Sequence, residues 1–243
     1  GKGGDTGALE LASRLGLEGV QVSLNIKGES LVLVQPALQA AYLEAARKHS
    51  IEIASFAIGE MNNLPLKSDP RAERWLKQSI GISKAMGVKI VLVPFFGKGD
   101  LKNDPRGVET VIEILRRVAP KAEAAGVILA LESWLSAEDC LAIIKRIGSP
   151  AVKVYYDVGN SRKEGYDVSE EIRFLGDRIA EIHAKDYQDL YGKGSMDFKA
   201  VARAMGDIGY EGWLVIEGSE LPLGIEESLR HDAEFLRTLF PAE

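Results

Sequence analysis

The chain has 243 residues, of which 46% are hydrophobic and 27% charged, a composition typical of a globular protein rather than a disordered or fibrous one. Its 30 basic and 36 acidic side chains give a net charge of −6, which disfavours nucleic acids and anionic membrane surfaces as partners. The single cysteine, Cys140, excludes an internal disulfide, and no apolar run approaches the roughly 18–20 residues that cross a bilayer. We therefore expect a cytoplasmic protein, or an exported one if an N-terminal segment has been removed.

Seven short apolar runs, rich in β-branched residues, predict seven β-strands. They begin about 32 residues apart on average, close to the roughly 31 residues of one strand–helix unit in a (β/α)₈ barrel. The predicted strands are residues 19–24, 51–58, 88–96, 127–131, 152–156, 179–184 and 213–216.

Between these runs, apolar residues recur three and four positions apart, which is the pattern of a helix with one buried face. Glycines follow several of these segments, where a helix needs a left-handed residue to end. The predicted helices are residues 6–15, 36–48, 69–86, 105–125, 137–147, 168–174, 198–208 and 225–239. No low-complexity linker interrupts the series, so we expect a single domain over residues 1–243.

A barrel of this kind needs a strand before its first helix, but residues 1–5 are polar and glycine-rich. The sequence therefore predicts an α/β TIM (β/α)₈ barrel in which strand 1 is missing from the chain. Either the sequence is truncated or the barrel is open beside strand 19–24, and we favour truncation.

Four consecutive strands of the predicted barrel carry an ionisable residue at or near their carboxyl ends. These residues are Glu132, Asp157, His183 and Glu217, separated by 25, 26 and 34 positions. Because active sites of such barrels form at the carboxyl ends of the strands, we expect the four side chains to converge. One acidic residue at a strand end is more often a helix cap or an ion-pair partner, but four in register indicate a common ligand.

Three carboxylates and one imidazole form an oxygen-rich donor set without a thiolate. Such a set suits one divalent metal ion, Mn²⁺, Mg²⁺ or Co²⁺, with Zn²⁺ as a further candidate. Carboxylates that converge without a cation would repel one another and raise each other's pKa. We therefore interpret the four residues as a metal site.

The strings LALESW, VYYDVGN, EIHAKD and WLVIEGSE resemble the strand-end motifs of the sugar phosphate isomerase/epimerase superfamily, the xylose isomerase-like TIM barrels. The resemblance implies that the four residues hold the metal and that Glu132 and Glu217 also act as acid/base groups on opposite faces of a sugar. It also implies that homo-oligomers are common. Ketose 3-epimerases of this superfamily are similar in carrying a histidine and an arginine where this chain has Asn160 and Asp189, which departs from that subgroup.

The expected chemistry is proton transfer on a ketose or keto-sugar through a metal-bound enediolate. Return of the proton to the same carbon gives an epimerase, and return to the neighbouring carbon gives an isomerase. A lyase or dehydratase on an inosose-like or 3-keto sugar would share the first step, and a non-catalytic sugar-binding barrel is a further alternative.

Six other residues are candidates for contact with a small-molecule sugar. Lys185 lies two residues after His183 and so on the same face of its strand. Lys98 lies in a short GKGD turn that resembles an anion-binding loop. The remaining candidates are Asn160, Trp134, Glu60 and Asn62. His49 and His231 fall at a helix end and within the last predicted helix, so we expect both outside the site.

Overall fold

A computed structural model describes residues 5–218 and 221–240 of the chain. The strands in chain order are β1 (Gly19–Ser23), β2 (Ile26–Lys27), β3 (Ser30–Leu31), β4 (Glu52–Ala57), β5 (Ile90–Phe95), β6 (Ile128–Ser133), β7 (Val152–Asp157), β8 (Ile179–Ala184) and β9 (Leu214–Ile216). The α-helices are α1 (Gly7–Arg14), α2 (Pro36–His49), α3 (Ala72–Met86), α4 (Pro105–Ala125), α5 (Ala137–Ile147), α6 (Val158–Lys163), α7 (Val168–Leu175), α8 (Phe198–Asp207) and α9 (Ile225–Leu239).

All seven predicted strands are confirmed, and they form one sheet in the order β1-β4-β5-β6-β7-β8-β9. Every neighbouring pair in this sheet is parallel. The sheet is nearly closed into a barrel with helices around it, and within the described residues no ladder joins β9 to β1. At this seam the ring of Trp213 lies so close to Gly19 that a Cβ there would come within 2.8 Å of it. The seam is where the sequence predicts that an eighth strand is missing.

The main hydrophobic core lies between the outer face of the sheet and the helices. Trp75, Leu115 and Ile172 are fully buried there, each on a different helix. A much smaller apolar group fills part of the barrel interior and consists of Leu92, Ala130 and Tyr155. Alternate residues of every strand point into the barrel interior. Because this apolar group is small, the interior also has room for polar side chains.

Several boundaries differ from those predicted. The strands β6 and β7 extend to Ser133 and Asp157, so Glu132 and Asp157 lie within the sheet rather than beyond it. Helix α3 begins at Ala72 because the Asp69 carboxylate accepts hydrogen bonds from the Arg71 backbone and side chain in the turn before it. Helix α6 and the two-stranded β2–β3 hairpin were not predicted.

Within the described part of the chain, none of the helices combines the length and the apolar character needed to span a membrane.

Candidate metal centre and pocket

The four acidic and imidazole side chains at the strand ends converge on one point. Each of them offers one ligand atom, and these four atoms all lie within 4.8 Å of one another. His183 Nδ1 is central, 3.0 Å from Glu132 Oε1, 3.3 Å from Glu217 Oε2 and 3.9 Å from Asp157 Oδ2. Strand pairing explains the convergence, since Asp157 and His183 are register partners on β7 and β8.

The two carboxylate oxygens of Asp157 have different roles. Oδ1 accepts a hydrogen bond of 2.9 Å from the Asn160 backbone N–H and so caps α6. Oδ2 is buried, faces the cluster and accepts no hydrogen bond within the described residues. The one ammonium group beside it, Lys185 Nζ at 3.5 Å, does not balance three converging carboxylates, so the donor set fits a divalent metal ion.

Lys185 extends the cluster by one positive charge. Its Nζ lies 2.9 Å from Glu217 Oε2 and 3.5 Å from Asp157 Oδ2. We call the five side chains the rim cluster: Glu132, Asp157, His183, Lys185 and Glu217. Gly159 on α6 permits this arrangement, because a Cβ at that position would come within 2.8 Å of the Lys185 side chain.

The charges of the rim cluster shift each other's ionisation. Burial and then the negative charge of Glu132 raise the pKa of Asp157 to about 8. Burial acts to lower the pKa of His183, but the carboxylates, Glu132 first, raise it to about 9. Burial acts to raise the pKa of Glu217, yet the positive charges of His183 and Lys185 hold it below its usual value. Glu217 is therefore an ionised carboxylate in the neutral range.

A second polar group lies deeper in the barrel, and we call it the floor cluster: Gln21, Ser55, Tyr155 and Glu181. The Gln21 side-chain amide donates to the Ser55 hydroxyl at 3.0 Å and to the Tyr155 hydroxyl at 2.9 Å. Glu181 is completely buried, and no hydrogen bond of ordinary geometry from the described residues reaches its carboxyl oxygens. Burial raises the pKa of Glu181, and its hydroxyl neighbours oppose this shift only in part.

A pocket with a cavity volume of about 260 Å³ opens over the rim cluster. Its polar lining includes Glu132, His183, Lys185, Glu217, Asn160 and Tyr187. Its apolar lining includes Ala57, Leu92, Pro94, Phe96 and Trp134, with the last two rings 5.1 Å apart between centroids. Such a combination of an apolar lining and a few polar groups is typical of a small-molecule site.

The structure brings some of the other sequence candidates to this pocket and leaves others outside it. Lys185, Asn160, Trp134 and Asn62 line the pocket. Glu60 does not, because its carboxylate instead accepts a hydrogen bond from the backbone N–H of Ile26 in the hairpin. Lys98 is exposed and also lies outside the lining.

The two remaining histidines lie away from the rim cluster. His49 is the last residue of α2, and His231 lies on α9 with its Nε2 3.2 Å from the Tyr191 carbonyl oxygen.

Two polar residues of the pocket lining, Gln21 and Tyr187, were missed from the sequence. Gln21 interrupts the apolar strand GVQVSL, and its inward position on β1 was a readable signal because strand residues alternate between faces. Tyr187 lies in the irregular segment after β8, where no periodicity applies. Its hydroxyl donates to Asn160 Oδ1, and its ring lies 4.8 Å from Lys185 Nζ.

A parallel barrel with ionisable side chains gathered at the carboxyl ends of its strands defines a TIM-barrel protein with its site at the usual end. A model of the xylose isomerase-like TIM barrel family matches residues 9–239, and the chain belongs to this family. The predicted fold class and superfamily are thereby confirmed.

Several curated relatives are named as epimerases of sugars or sugar-like phosphates. The 2-epi-5-epi-valiolone 7-phosphate 2-epimerase of Actinoplanes sp. is 25% identical over 184 residues, which cover 74% of this chain and 67% of the relative. The D-psicose 3-epimerase of Enterocloster bolteae is 29% identical over 170 residues, which cover 58% of this chain and 56% of the relative. A crystal structure of D-psicose 3-epimerase in the presence of D-fructose superposes with a TM-score of 0.81 at 17% identity, covering 98% of this chain and 94% of that one. At this identity the superposition shows the fold alone.

Proposed function

We propose that this chain is a divalent-metal-dependent sugar isomerase or epimerase that transfers a proton on a ketose or keto-sugar through an enediolate. One observation carries the proposal: four ligand atoms lie within 4.8 Å of one another at a sugar-sized pocket, and one of them is a buried carboxylate oxygen with no hydrogen-bond donor. The epimerases among the relatives support the same class of reaction.

Glu132, Asp157, His183 and Glu217 would hold the cation. A divalent ion held by these residues would supply a Lewis acid that stabilises negative charge developing on the sugar's oxygens.

Glu217 is the group best suited to accept the proton from carbon. Its side chain is 43% exposed, against 6% for Glu132, so an entering sugar reaches it first. It is ionised because His183 and Lys185 lower its pKa. When Glu217 takes the proton, the electron pair of the C–H bond moves toward the neighbouring carbonyl and gives the enediolate.

Glu132 is the second acid/base group. When protonated, it can return a proton to the face of the sugar opposite Glu217, which inverts the carbon without changing the sugar's composition. Before the next turnover Glu217 releases its proton to solvent and Glu132 takes one up from solvent. Hydrogen from water therefore enters the product at carbon.

Lys185 and Asn160 position the reacting groups. Lys185 donates to Glu217 Oε2 and so fixes the orientation of that carboxylate. Tyr187 donates to Asn160 Oδ1, which leaves the Asn160 side-chain N–H₂ to donate to a sugar oxygen.

Solvent exchange tests this proposal. The Mn²⁺-loaded chain is incubated with D-fructose, D-psicose, D-tagatose or L-ribulose in deuterated water, and NMR follows deuterium at carbon and the sugar formed. We expect at least one of these sugars to gain one deuterium as it is converted into an epimer or isomer. Glu132→Gln and Glu217→Gln should each slow the exchange by about 10²- to 10⁴-fold.

Glu170→Gln is the matched control, because the Glu170 side chain is 72% exposed on α7. It should exchange at the rate of the unmodified chain. Absence of exchange with every sugar, or full activity in either site variant, would contradict the proposal. Loss of water or of a sugar unit from the substrate would instead indicate the lyase alternative.

A further inference from the structure

The residues that line the pocket indicate which chemical class of sugar it binds. The apolar lining includes Leu92, Pro94, Phe96 and Trp134, which suit the C–H face of a sugar ring. The polar lining includes carboxylates, one imidazole, one ammonium group and the Asn160 amide. The volume of about 260 Å³ is slightly below the roughly 300–1,000 Å³ of drug-sized sites, which suits a sugar of one ring.

Lys185 is the only lysine or arginine that lines the pocket among residues 5–218 and 221–240. Its side chain is 11% exposed and contacts the carboxylates of Glu217 and Asp157 at 2.9 and 3.5 Å. These contacts balance negative charge within the rim cluster. To bind a phosphate dianion, Lys185 would have to give up its contacts with the half-exposed Glu217 carboxylate and the buried Asp157 carboxylate, which is costly.

Two exposed lysines lie outside the lining. One is Lys98, which the sequence suggested as an anion contact, and the other is Lys163 on α6. Lys163 Nζ lies 4.7 Å from the centre of the Tyr187 ring. Neither places an ammonium group in the cavity, whereas sites for phosphate use charge-assisted donors directed at its oxygens.

We infer that the pocket takes an uncharged keto-sugar, a ketose without a phosphate group, in preference to the corresponding sugar phosphate. The inference rests on the proposed function and separates this chain from a relative whose name specifies a 7-phosphate substrate. It names a charge class, which the four metal-site residues alone do not determine.

Paired sugars that differ only in the phosphate group test the inference. Calorimetry measures binding of L-ribulose against L-ribulose 5-phosphate, and of D-fructose against D-fructose 6-phosphate, to the Mn²⁺-loaded chain. We expect the free sugar of at least one pair to bind ten-fold or more tightly than its phosphate. Inorganic phosphate at ten times the sugar concentration should leave that affinity unchanged within two-fold.

Lys98→Ala extends the test to the exposed turn. The ratio of the two affinities should change by less than two-fold in this variant. Tighter binding of the phosphorylated sugar, competition by inorganic phosphate, or a ratio that depends on Lys98 would overturn the inference. Binding of neither sugar in every pair would overturn it as well.

The binding measurement and the exchange measurement can contradict the charge preference and the proposed reaction independently of each other. A chain that binds free sugars tightly but never exchanges deuterium would support the charge preference and contradict the proposed reaction. A chain that exchanges deuterium into sugar phosphates faster than into free sugars would contradict the charge preference and support the reaction.

Discussion

The rim cluster and the floor cluster lie in the same barrel interior, yet the pKa of a glutamate is shifted in opposite directions in the two. In the rim cluster, the positive charges of His183 and Lys185 lower the pKa of Glu217 against the effect of burial. In the floor cluster, burial raises the pKa of Glu181, and the Ser55 and Tyr155 hydroxyls and the charge of His183 oppose this shift only in part. The balance between burial and nearby positive charge therefore decides the direction of the shift.

The two clusters also differ in their access to the pocket. The rim cluster opens to the pocket and contains groups of both charges, whereas in the floor cluster only Gln21 reaches the pocket and Ser55, Tyr155 and Glu181 are buried. The two meet where the Tyr155 ring packs against the His183 ring, with 4.4 Å between centroids. The floor cluster thus packs against the imidazole, while the rim cluster contains the groups proposed as metal ligands and proton-transfer groups.

Removing one charge from the rim should have the largest effect. Asp157→Asn replaces the buried Oδ2 charge and should weaken Mn²⁺ binding by about 100-fold or more, since the amide is a poorer ligand for a hard cation. Calorimetric titration with Mn²⁺ measures the change. Asp177→Asn is the control, because that side chain is 91% exposed. Equal affinity in the two variants would show that Asp157 is not a ligand.

A substitution that displaces Lys185 in the rim cluster should have the next largest effect. In Gly159→Ala the new Cβ would lie 2.8 Å from Lys185 Cβ and Cγ and 3.0 Å from its carbonyl oxygen, so Lys185 must shift away from Glu217. We expect deuterium exchange to slow about 10- to 100-fold, as expected for misplaced catalytic groups.

Gly81→Ala in α3 provides the matched comparison. A Cβ at Gly81 meets no atom within 4 Å, so exchange should be unchanged while the helix gains up to about 1 kcal/mol of stability. Equal exchange rates in the two alanine variants would contradict the positioning of Lys185.

A change in the floor should affect stability rather than catalysis. Folding raises the pKa of Glu181, so its contribution to stability is complete below about pH 4.3, the ordinary pKa of glutamate, and is lost as the pH rises through the folded-state pKa. Glutamine does not titrate. The Tm of Glu181→Gln relative to the unmodified chain should therefore rise as the pH increases above about 4.3. A difference in Tm that is constant with pH would contradict the raised pKa of Glu181.

The smallest effect is expected at the edge of the rim cluster. Tyr187→Phe keeps the ring beside Lys185 but removes the hydrogen bond to Asn160. Loss of this hydrogen bond should weaken the binding free energy of the substrate by about 1 kcal/mol. It should therefore raise KM for the best ketose about five-fold and leave kcat within two-fold. A large fall in kcat with unchanged KM would instead place Tyr187 in the proton-transfer step.

The sequence predicted the barrel well because each strand and helix carries a strong local pattern. The four candidate metal-site residues could be predicted for the same reason, since each of them lies at or near the carboxyl end of an apolar run. Helix α6 was missed because six residues with a glycine and an asparagine give no helical periodicity. The only sequence signal for the start of this helix is Asp157, whose side chain caps it. Asp157 is interpreted from the sequence as a metal ligand, so its capping role was missed.

The contacts that define the pocket depend on tertiary structure. Glu60 and Lys98 follow strands β4 and β5, as the sequence indicated. However, the Glu60 carboxylate accepts a hydrogen bond from the β2–β3 hairpin, and Lys98 is exposed to solvent. Tyr187 lies at the pocket because two hydrogen bonds hold the loop after β8 in place. The Asp186 carboxylate accepts a hydrogen bond of 2.9 Å from the Met196 backbone N–H, and the Asp232 carboxylate on α9 accepts one of 2.9 Å from the Tyr191 backbone N–H. Neither hydrogen bond can be predicted from the local sequence.

Anomalous X-ray scattering from crystals grown with Mn²⁺ tests the central claim most directly. We expect one strong peak per chain, about 2.0–2.6 Å from an oxygen or nitrogen atom of each of Glu132, Asp157, His183 and Glu217. A peak bound elsewhere, or one that leaves two or more of these side chains outside ligand distance, would contradict a single shared metal centre.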